Sequence, residues 1–463
     1  MRILFVVYDN GSYIHQFPMG LAYIASVLLK DGYDITIYNQ DMHHYPDIHL
    51  TQYLNKNTFD VVCISIIAGY YQYKRLVSIS NAINESKNRP IYILGGHGPS
   101  PEPEFFLRKT KADIVVIGEG EETIRELMDA LANRKSLEGL KGIAYRQGDK
   151  VVINQRRPLI NEVDSILHPA WHLFPVNYYR LIRIGPHSKK TDFLMPVLSG
   201  RGCTFECNFC YRMDTGFRPR SNEAIIEEVE ILKKDYRINY IDFLDELLMT
   251  SVNRTVSLCE SFLKAKLNVN WKCNGRLNYA KKEVLQLMKK SGCIFINYGI
   301  ESMDDTALKN MKKGLTTEQI IKGVEATLEA GISPGLNIIF GNIGENKEIL
   351  MKGVEFLLKY DDGAQLRTIR PVTPYPGSPL YYHAMEKGLL RDCEDFYENK
   401  HINADLVAVN FTDMSDDEFH QSLLEANSIL LKNYYNNKLK NSLEETKNLY
   451  LKKDVNFRGF RQT

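Results

Sequence analysis

The sequence has no long hydrophobic run. No segment approaches the roughly 18 apolar residues that a membrane-spanning helix requires. The apolar stretch near the start, from Ile3 to Val7, is five residues long and too short for the core of a secretion signal. We therefore expect a cytoplasmic protein without a membrane span.

An excess of one charge is also missing. The chain has 58 Lys and Arg against 57 Asp and Glu, a formal net charge of +1. Such a balance creates no long-range field that would attract a polyanion, so we expect no nucleic-acid partner.

Glycine and proline, at 30 and 17 of 463 residues, are too few for a collagen-like or disordered chain. With 44% hydrophobic residues, this length predicts two to four folded domains.

Cysteine is scarce and unevenly placed. Three of the eight cysteines, Cys203, Cys207 and Cys210, fall within eight residues. In a protein without a secretion signal, clustered thiols indicate a metal site rather than a disulfide framework. The other five stand singly among apolar neighbours: Cys63, Cys259, Cys273, Cys293 and Cys393.

The first 133 residues alternate short β-branched runs with helical patterns. Leu21, Ile24 and Leu28 recur at the spacing of one helix face, and Gly32 ends that pattern. Five such β-α units predict a Rossmann-like α/β domain over 1–133, with a doubly wound parallel sheet. The predicted strands are Ile3–Val7, Asp34–Tyr38, Val61–Ile66, Ile91–Leu94 and Ile114–Ile117.

Loops that contain glycine follow three of these strands. Ligands of doubly wound sheets bind beyond the carboxyl ends of the strands, so these loops form a first candidate site. The alternative is that the glycines only permit tight turns where the strands end. The candidate residues are Ser65, Gly69, Gly95, Gly96, His97, Gly118, Glu119 and Gly120.

The rest of the chain divides into three parts. Residues 134–190 lose periodicity and predict a linker with a hairpin at 142–153. Six further β-α units over 191–390 predict a partial (β/α)6 barrel, and 391–463 predict a helical C-terminal region. The predicted barrel strands are Leu194–Leu198, Tyr240–Leu244, Val269–Lys272, Ile294–Gly299, Gly335–Phe340 and Gln365–Ile369.

The three clustered cysteines have CxxxCxxC spacing and come just after the first barrel strand, the end at which barrels carry their chemistry. Three thiolates can bind three irons of a 4Fe–4S cubane and leave the fourth iron open, whereas electron-transfer clusters normally have four protein ligands. A zinc site is the alternative. It would need a fourth ligand, and the nearest following cysteine is Cys259.

This motif, with Phe209 before its last cysteine, resembles the signature of the radical S-adenosylmethionine (SAM) superfamily. The resemblance implies that the three cysteines hold a 4Fe–4S cluster whose open iron binds SAM. In such enzymes the reduced cluster cleaves SAM to methionine and a 5′-deoxyadenosyl radical. Further matching segments follow the later barrel strands: Asp242–Glu246, Arg276, Tyr298–Ser302, Ile338–Gly341 and Thr373–Leu380.

The resemblance also implies how SAM is bound. Asp245 or Glu246 would bind its ammonium group, and Arg276 its carboxylate. Phe209 would pack near the adenine, and Glu301 would reach the ribose hydroxyls. For each charged residue the alternative is a structural cap or a surface ion pair.

Together with residues 1–133, the chain resembles the branch of the superfamily that carries an N-terminal cobalamin (B12)-binding-type domain. Proteins that ligate cobalt with a histidine have a DxHxxG motif after the first strand, whereas here that loop runs from Asp9 to His15 and lacks it. The resemblance therefore implies cobalamin held by backbone loops, without a protein ligand to cobalt. Other members keep the fold without the cofactor. His97 is either a cobalamin neighbour or an ordinary loop residue.

For function, the resemblance implies methylation of an unactivated carbon in a small molecule, with cobalamin supplying the methyl group. It also implies an external electron donor such as flavodoxin or ferredoxin. A second possibility is a radical reaction without methyl transfer, namely dehydration, epimerisation or oxidative cyclisation, with a cofactor-free first domain. A third is a non-catalytic metal-binding protein, since these α/β architectures host many activities.

Overall fold

The computed structural model describes residues 1–11, 17–182, 188, 189 and 191–455. The strands of its first sheet are β1 (Arg2–Val7), β2 (Asp34–Asn39), β3 (Val61–Ser65), β4 (Ile91–Gly95), β5 (Ile114–Val116), β6 (Ile143–Gln147) and β7 (Lys150–Ile153). They are ordered β2-β1-β3-β4-β5-β6-β7, and β1 to β5 are parallel. The five strands predicted for the first domain are thus present.

The central strands of this sheet are apolar at successive positions because both faces are covered. Alternate residues of β1 enter two different cores: Ile3 and Phe5 face one, and Leu4 and Val6 face the other. The doubly wound architecture predicted from the sequence is confirmed. The covering helices are α1 (Met19–Lys30), α2 (Gln40–His43), α3 (Asp47–Lys56), α4 (Tyr70–Asn84), α5 (Pro103–Thr110) and α6 (Glu121–Ala132).

The hairpin that the sequence places in the linker extends the first sheet. Strand β6 pairs antiparallel with β5, with Ala144 opposite Val115, and β7 follows at the sheet edge. Between residues 154 and 193, the part that the structure describes is irregular apart from two 3-10 turns and α7 (Val176–Tyr179). Trp171 in this segment packs against Phe17, with ring centroids 4.6 Å apart, in a core that continues from the first sheet into the barrel.

The second large sheet is a half-barrel. Its six strands are all parallel and follow one another in chain order, which confirms the predicted partial barrel. The strands of this half of the chain are β8 (Leu194–Val197), β9 (Gly200–Cys203), β10 (Gly216–Pro219), β11 (Tyr240–Phe243), β12 (Asn270–Gly275), β13 (Cys293–Glu301), β14 (Ser333–Phe340) and β15 (Arg370–Pro371). Strands β9 and β10 form a separate antiparallel hairpin. The barrel helices are α8 (Asn222–Tyr236), α9 (Val252–Lys264), α10 (Lys282–Lys290), α11 (Asp305–Asn310), α12 (Thr317–Glu329) and α13 (Lys347–Lys359).

The predicted position of the last barrel strand was wrong. The strand occupies Arg370–Pro371 rather than Gln365–Ile369. The reason is Arg367, which is buried and donates to Asp362 at 2.8 Å and to the carbonyl of Pro334 at 3.0 Å. These contacts hold the apolar segment in an irregular path until it reaches the edge of β14.

The C-terminal region packs against both the barrel and the first domain. It contains α14 (Pro379–Glu386), α15 (Cys393–Asp395), a π-helical turn at Phe396–Lys400 and α16 (Asp416–Leu451). Tyr397 stacks on Tyr73 of the first domain with ring centroids 4.5 Å apart, and the Tyr73 hydroxyl donates to Glu398 at 2.5 Å. These contacts bring the C-terminal region into the core that contains Leu4 and Val6 of β1.

The longest helix, α16, has 36 residues and begins with a capping box formed by Ser415 and Glu418. Its first half packs into the core through residues such as Phe419 and Leu423, whereas Leu439 and Leu443 in its second half are exposed. Among the described residues, no helix is both long and apolar enough to cross a membrane.

Candidate functional site

The cysteine motif begins at the tip of the hairpin formed by β9 and β10. Cys203 ends β9 and pairs with Gly216 at the start of β10. Gly202 has a φ of 84°, and a Cβ on it would lie 2.4 Å from the Gly216 carbonyl oxygen, so a glycine is required before the first cysteine. Cys203 is half-buried, Cys207 buried and Cys210 exposed. The motif lies where the sequence predicts it, beyond the end of β8.

Asn208, inside the motif, fixes this loop to three other segments. Its backbone N–H donates to the carbonyl of Met311 at 2.9 Å, and its own carbonyl accepts from the Leu380 N–H at 2.8 Å. Its side-chain amide exchanges hydrogen bonds with that of Asn342 at 2.9 and 3.1 Å, and both side chains are buried. The sequence analysis missed this residue, because its partners are distant along the chain.

The surroundings of Cys207 and Cys210 favour the neutral thiol. Although part of Cys210 is exposed, desolvation by the neighbouring residues raises the pKa of its thiol to about 12, and the nearby Glu246 and the other two thiols act in the same direction. Burial also raises the pKa of Cys207, although Lys313 and Arg276 oppose that rise. A bound metal is what stabilises thiolates in such a position.

The spacing of the three thiols fits a cluster. Cys203, Cys207 and Cys210 have CxxxCxxC spacing, and the nearest following cysteine is Cys259. A mononuclear zinc site needs ligands that converge on one point, whereas the three thiolates of an open cubane bind three separate irons. Cys203, Cys207 and Cys210 are therefore suited to a cubane.

Arg276 follows β12 and lies against the cysteine loop. Its guanidinium stacks on the Phe205 ring at 3.5 Å from the centroid, and its Nη2 donates to the carbonyl of Lys313. The residue is 5% exposed, and its Nε has no hydrogen-bond partner in the described part of the chain. A buried donor without a partner is costly. Arg276 is thus poised to receive an anionic group such as a carboxylate.

Glu301 and Lys313 form a buried ion pair in the same region. Glu301 ends β13 with a φ of 67°, a left-handed conformation that non-glycine residues seldom adopt. Its Oε1 accepts from Lys313 Nζ at 2.8 Å, and Nζ lies 6.0 Å from the ring centroid of Phe209. The structure therefore places Glu301 and Phe209 near each other, and it adds Lys313, which the sequence analysis did not identify.

The two neighbouring carboxylates after β11 have different surroundings. Asp245 is 2% exposed and accepts hydrogen bonds from the Ser199 N–H at 2.9 Å and the Ser199 hydroxyl at 2.7 Å. Glu246 is exposed toward the cavity described next and has no hydrogen-bond or ion-pair partner among the described residues. Burial raises the pKa of both carboxyls. Of the two alternatives for binding an ammonium group, Glu246 is the available one.

A cavity of about 440 Å³ lies between the carboxyl ends of the two large sheets. Seven of the eight residues predicted in the first domain line it, and the exception, Gly69, instead precedes α4 as its cap. Asp245, Glu246 and the hairpin residues Gly200–Gly202 line the opposite wall. Of the residues predicted for the barrel site, Asp245 and Glu246 thus face the same cavity as the first-domain loops, whereas the three cysteines, Phe209, Arg276 and Glu301 are not among its lining residues.

The first-domain wall of this cavity is built to lie close to a ligand. A Cβ on Gly95 would meet no atom within 4 Å, so the space beside its backbone is open. Gly96 has a φ of 98°, and a Cβ there would lie 2.4 Å from the carbonyl oxygen of Ile66. Such a backbone surface, flanked by the apolar Ile24 and Ile93, fits a large flat ring such as a corrin.

His97 is the one histidine that lines this cavity within the described part of the chain. Burial lowers the pKa of its imidazole, and its ring meets Tyr211 edge-on at 6.0 Å between centroids. The loop after β1, in which the DxHxxG motif is absent, includes His15, which lies outside the described residues.

Glu119 differs from the glycines on either side of it. Its carboxylate is 7% exposed and pairs with Arg201 at 2.8 Å and with Arg218 at 2.9 Å, both on the β9–β10 hairpin. Glu119 lines the cavity, but its carboxylate forms ion pairs with these arginines across the contact between the two domains.

Comparison with known families assigns both halves of the chain. Residues 197–357 match the radical SAM superfamily, and residues 11–128 match the B12-binding domain. An uncharacterized methyltransferase of Pyrococcus horikoshii is 31% identical over 402 residues, covering 84% of each chain. An anaerobic magnesium-protoporphyrin IX monomethyl ester cyclase of Rubrivivax gelatinosus is 26% identical and covers 86% of this chain and 72% of its own.

A solved structure shows the same architecture. The radical SAM methyltransferase TsrM of Kitasatospora setae, determined with cobalamin and a 4Fe–4S cluster, superposes with a TM-score of 0.73 over 92% of this chain and 88% of its own, at 16% identity. This likeness supports the order of the domains and their arrangement. Together with the closely covering relative from Pyrococcus horikoshii, these findings show that the protein belongs to the radical SAM superfamily, in the branch with an N-terminal B12-binding domain.

Proposed function

We propose that the protein is a cobalamin-dependent radical SAM methyltransferase that acts on an unactivated carbon of a small molecule. The observation that carries the proposal is the single cavity onto which the edges of both sheets open. The family uses a 4Fe–4S cluster and SAM, and its B12-binding domain adds cobalamin, as the sequence led us to expect. The names of several relatives point to methyl transfer, including those from Pyrococcus horikoshii and Streptomyces wedmorensis.

The barrel edge is the proposed site of radical formation. When bound, the cluster supplies the electron that cleaves SAM, and cobalamin supplies the methyl group. Cys203, Cys207 and Cys210 would hold the cluster. Arg276, with its unpartnered Nε, would bind the carboxylate of SAM, and Glu246 would bind its ammonium group. Phe209 and Glu301 would contact the nucleoside, with Lys313 holding the Glu301 carboxylate in place.

The first-domain edge is the proposed seat of cobalamin. Ser65, Gly95, Gly96, Gly118 and Gly120 would contact it through backbone and small side chains. No DxHxxG histidine follows β1, so the cofactor would be held by fit to the loops, with His97 at its border. Gly69 stands apart from the cavity and is not part of this proposed surface.

The proposal extends to the protein's working environment. One side of the cysteine loop is open at the exposed Cys210, where a flavodoxin or ferredoxin would deliver electrons. Eight free thiols suit a reducing compartment such as the cytoplasm.

We divide the chain into a cobalamin domain (1–133), a linker (134–190), the SAM barrel (191–390) and the C-terminal region (391–463), with no role for nucleic acid.

A ring-forming oxidation is the second candidate, because a cyclase is among the relatives that cover most of the chain. The test is a cell extract incubated anaerobically with the reconstituted protein, reductant and SAM carrying a trideuterated methyl group. Methyl transfer predicts a new product three mass units heavier than with ordinary SAM. Formation of 5′-deoxyadenosine with an unlabelled new product would favour cyclisation. No SAM cleavage at all would contradict both.

A further inference from the structure

The contact between the first domain and the cysteine hairpin contains a buried network of charges. Glu119 and Glu121, on the loop and helix start after β5, face Arg201 on β9 and Arg218 on β10. Asp214, which precedes β10, accepts a hydrogen bond from Arg218 Nη2 at 3.2 Å. All five side chains are 15% exposed or less. We call these five residues the interdomain clasp.

The hairpin carries two opposed arginines that need carboxylates beside them. Arg201 and Arg218 are directly opposite each other in the β9–β10 register. Like charges at opposed positions destabilise a strand pair, so the hairpin depends on carboxylates that lie between them. Glu119 supplies one from the first domain, with its Oε1 accepting from Arg201 at 2.8 Å and from Arg218 at 3.0 Å.

Glu119 has no capacity left for a ligand. Besides the two bonds to Oε1, its Oε2 accepts from Arg218 at 2.9 Å and from the Ile160 N–H at 2.8 Å. A carboxylate offers about four acceptor positions, and all are in use here. Its role is therefore different from the cofactor contact that the sequence analysis expected for it.

The clasp lies next to both proposed cofactor sites. Glu119 lies between Gly118 and Gly120, which line the cavity on the first-domain side. Arg201 precedes Cys203, the first cysteine of the motif, by one intervening glycine. A shift of the Glu119 loop would thus move the proposed corrin surface and the proposed cluster loop relative to each other.

We propose that Glu119 is a positioning residue that fixes the cysteine hairpin against the cobalamin-binding edge. It would keep the site of radical formation and the site of methyl transfer at a constant distance from each other. This inference rests on the proposed function. It predicts that weakening the clasp lowers the yield of methylated product per SAM cleaved, because a displacement of about 1 Å between reacting groups can cost orders of magnitude in rate.

The test compares Glu119→Gln with Glu122→Gln in reconstituted protein. Glu122 is the matched control, since it is exposed and makes only a 3.8 Å ion pair with Arg125. Without substrate, backbone hydrogen exchange in residues 118–121 and 200–203 should rise about tenfold or more in Glu119→Gln and stay unchanged in Glu122→Gln. With substrate, methylated product per 5′-deoxyadenosine should fall about tenfold in Glu119→Gln alone.

Several outcomes would overturn the proposal. Unchanged exchange at residues 200–203 in Glu119→Gln would do so, as would reduced cobalamin affinity without a change in exchange, which would mark a direct cofactor contact. Arg218→Gln removes the opposite partner and should reproduce both effects. If both variants fail to fold and load iron, the clasp is a stability element rather than a positioning device. If the wild-type protein methylates nothing, the proposed function fails, whereas the exchange measurement still decides the clasp.

Discussion

The two large sheets of this protein differ in the side chains that follow their parallel strands. Residues that follow strands of each sheet line the shared cavity. The first-domain edge presents glycines and small side chains, such as Gly95 and Gly96, and the barrel edge presents thiols and buried charges, such as Arg276 and Glu301. Under the proposed function, the first edge would select its ligand by shape and the second by charge. The difference matches the two ligands, since a corrin is a broad flat ring and SAM carries a carboxylate, an ammonium group and a sulfonium.

The largest effect should come from removing the thiols at the charged edge. Alanine at Cys203, Cys207 and Cys210 together should abolish 5′-deoxyadenosine formation, because no other residues in the loop replace the lost ligands. Cleavage assays under reducing, anaerobic conditions measure this. Alanine at the buried Cys63, Cys259 or Cys293 is the control and should cost only the loss of a small apolar side chain. Persistent cleavage in the triple variant would refute the cluster assignment.

The next largest effect should come from filling the edge that selects by shape. Gly95→Val should lower cobalamin affinity roughly a hundredfold, because the added side chain has open space only where the ligand would lie. An absorbance titration with cobalamin measures the affinity. Gly120→Val is a less clean variant, since its Cβ would already lie 2.8 Å from Ile24 Cδ1. Unaltered affinity in Gly95→Val would place cobalamin elsewhere.

Charge substitutions at the barrel edge should have intermediate effects on SAM binding. Arg276→Ala should weaken SAM affinity by about 2 kcal/mol, or roughly thirtyfold, through loss of a charge-assisted hydrogen bond. Glu301→Gln should weaken it less, because glutamine keeps the length of the side chain and an oxygen that can accept from Lys313 Nζ. Titration with SAM, followed through the spectrum of the reduced cluster, reports both. Lys309→Ala, on the exposed side of α11, is the control. Equal SAM affinity in all variants would show that Arg276 and Glu301 have only structural roles.

The smallest effect concerns the anchor of the cysteine loop. Asn208→Ala should reduce the free energy of unfolding by about 1 kcal/mol, because the buried amide of Asn342 loses its reciprocal partner. Thermal unfolding of the cluster-free protein measures this, with Asn310→Ala, whose side chain makes one hydrogen bond, as the control. A melting temperature equal to that of the wild type would show that the loop is held by its backbone contacts alone.

The sequence predicts the parts of this structure that depend on local pattern. The strands β1 to β5, β8 and β11 to β14 appear as apolar runs because their side chains are buried, and the CxxxCxxC spacing identifies the cysteine loop within eight residues. The contacts that depend on tertiary approach were not predictable. Asn208 and Asn342 are 134 positions apart, and Glu119 meets Arg201 from another domain. The same applies to the displaced last strand, which follows from the buried ion pairs of Arg367.

The division between the two edges is tested most directly by measuring cobalt and iron together in three proteins reconstituted with both cofactors. We expect about four irons and one cobalt per chain in the wild type. Gly95→Val should keep the iron and lose the cobalt, and the triple cysteine variant should keep the cobalt and lose the iron. Loss of both metals from both variants, or retention of cobalt in Gly95→Val, would contradict the claim that each edge holds its own cofactor.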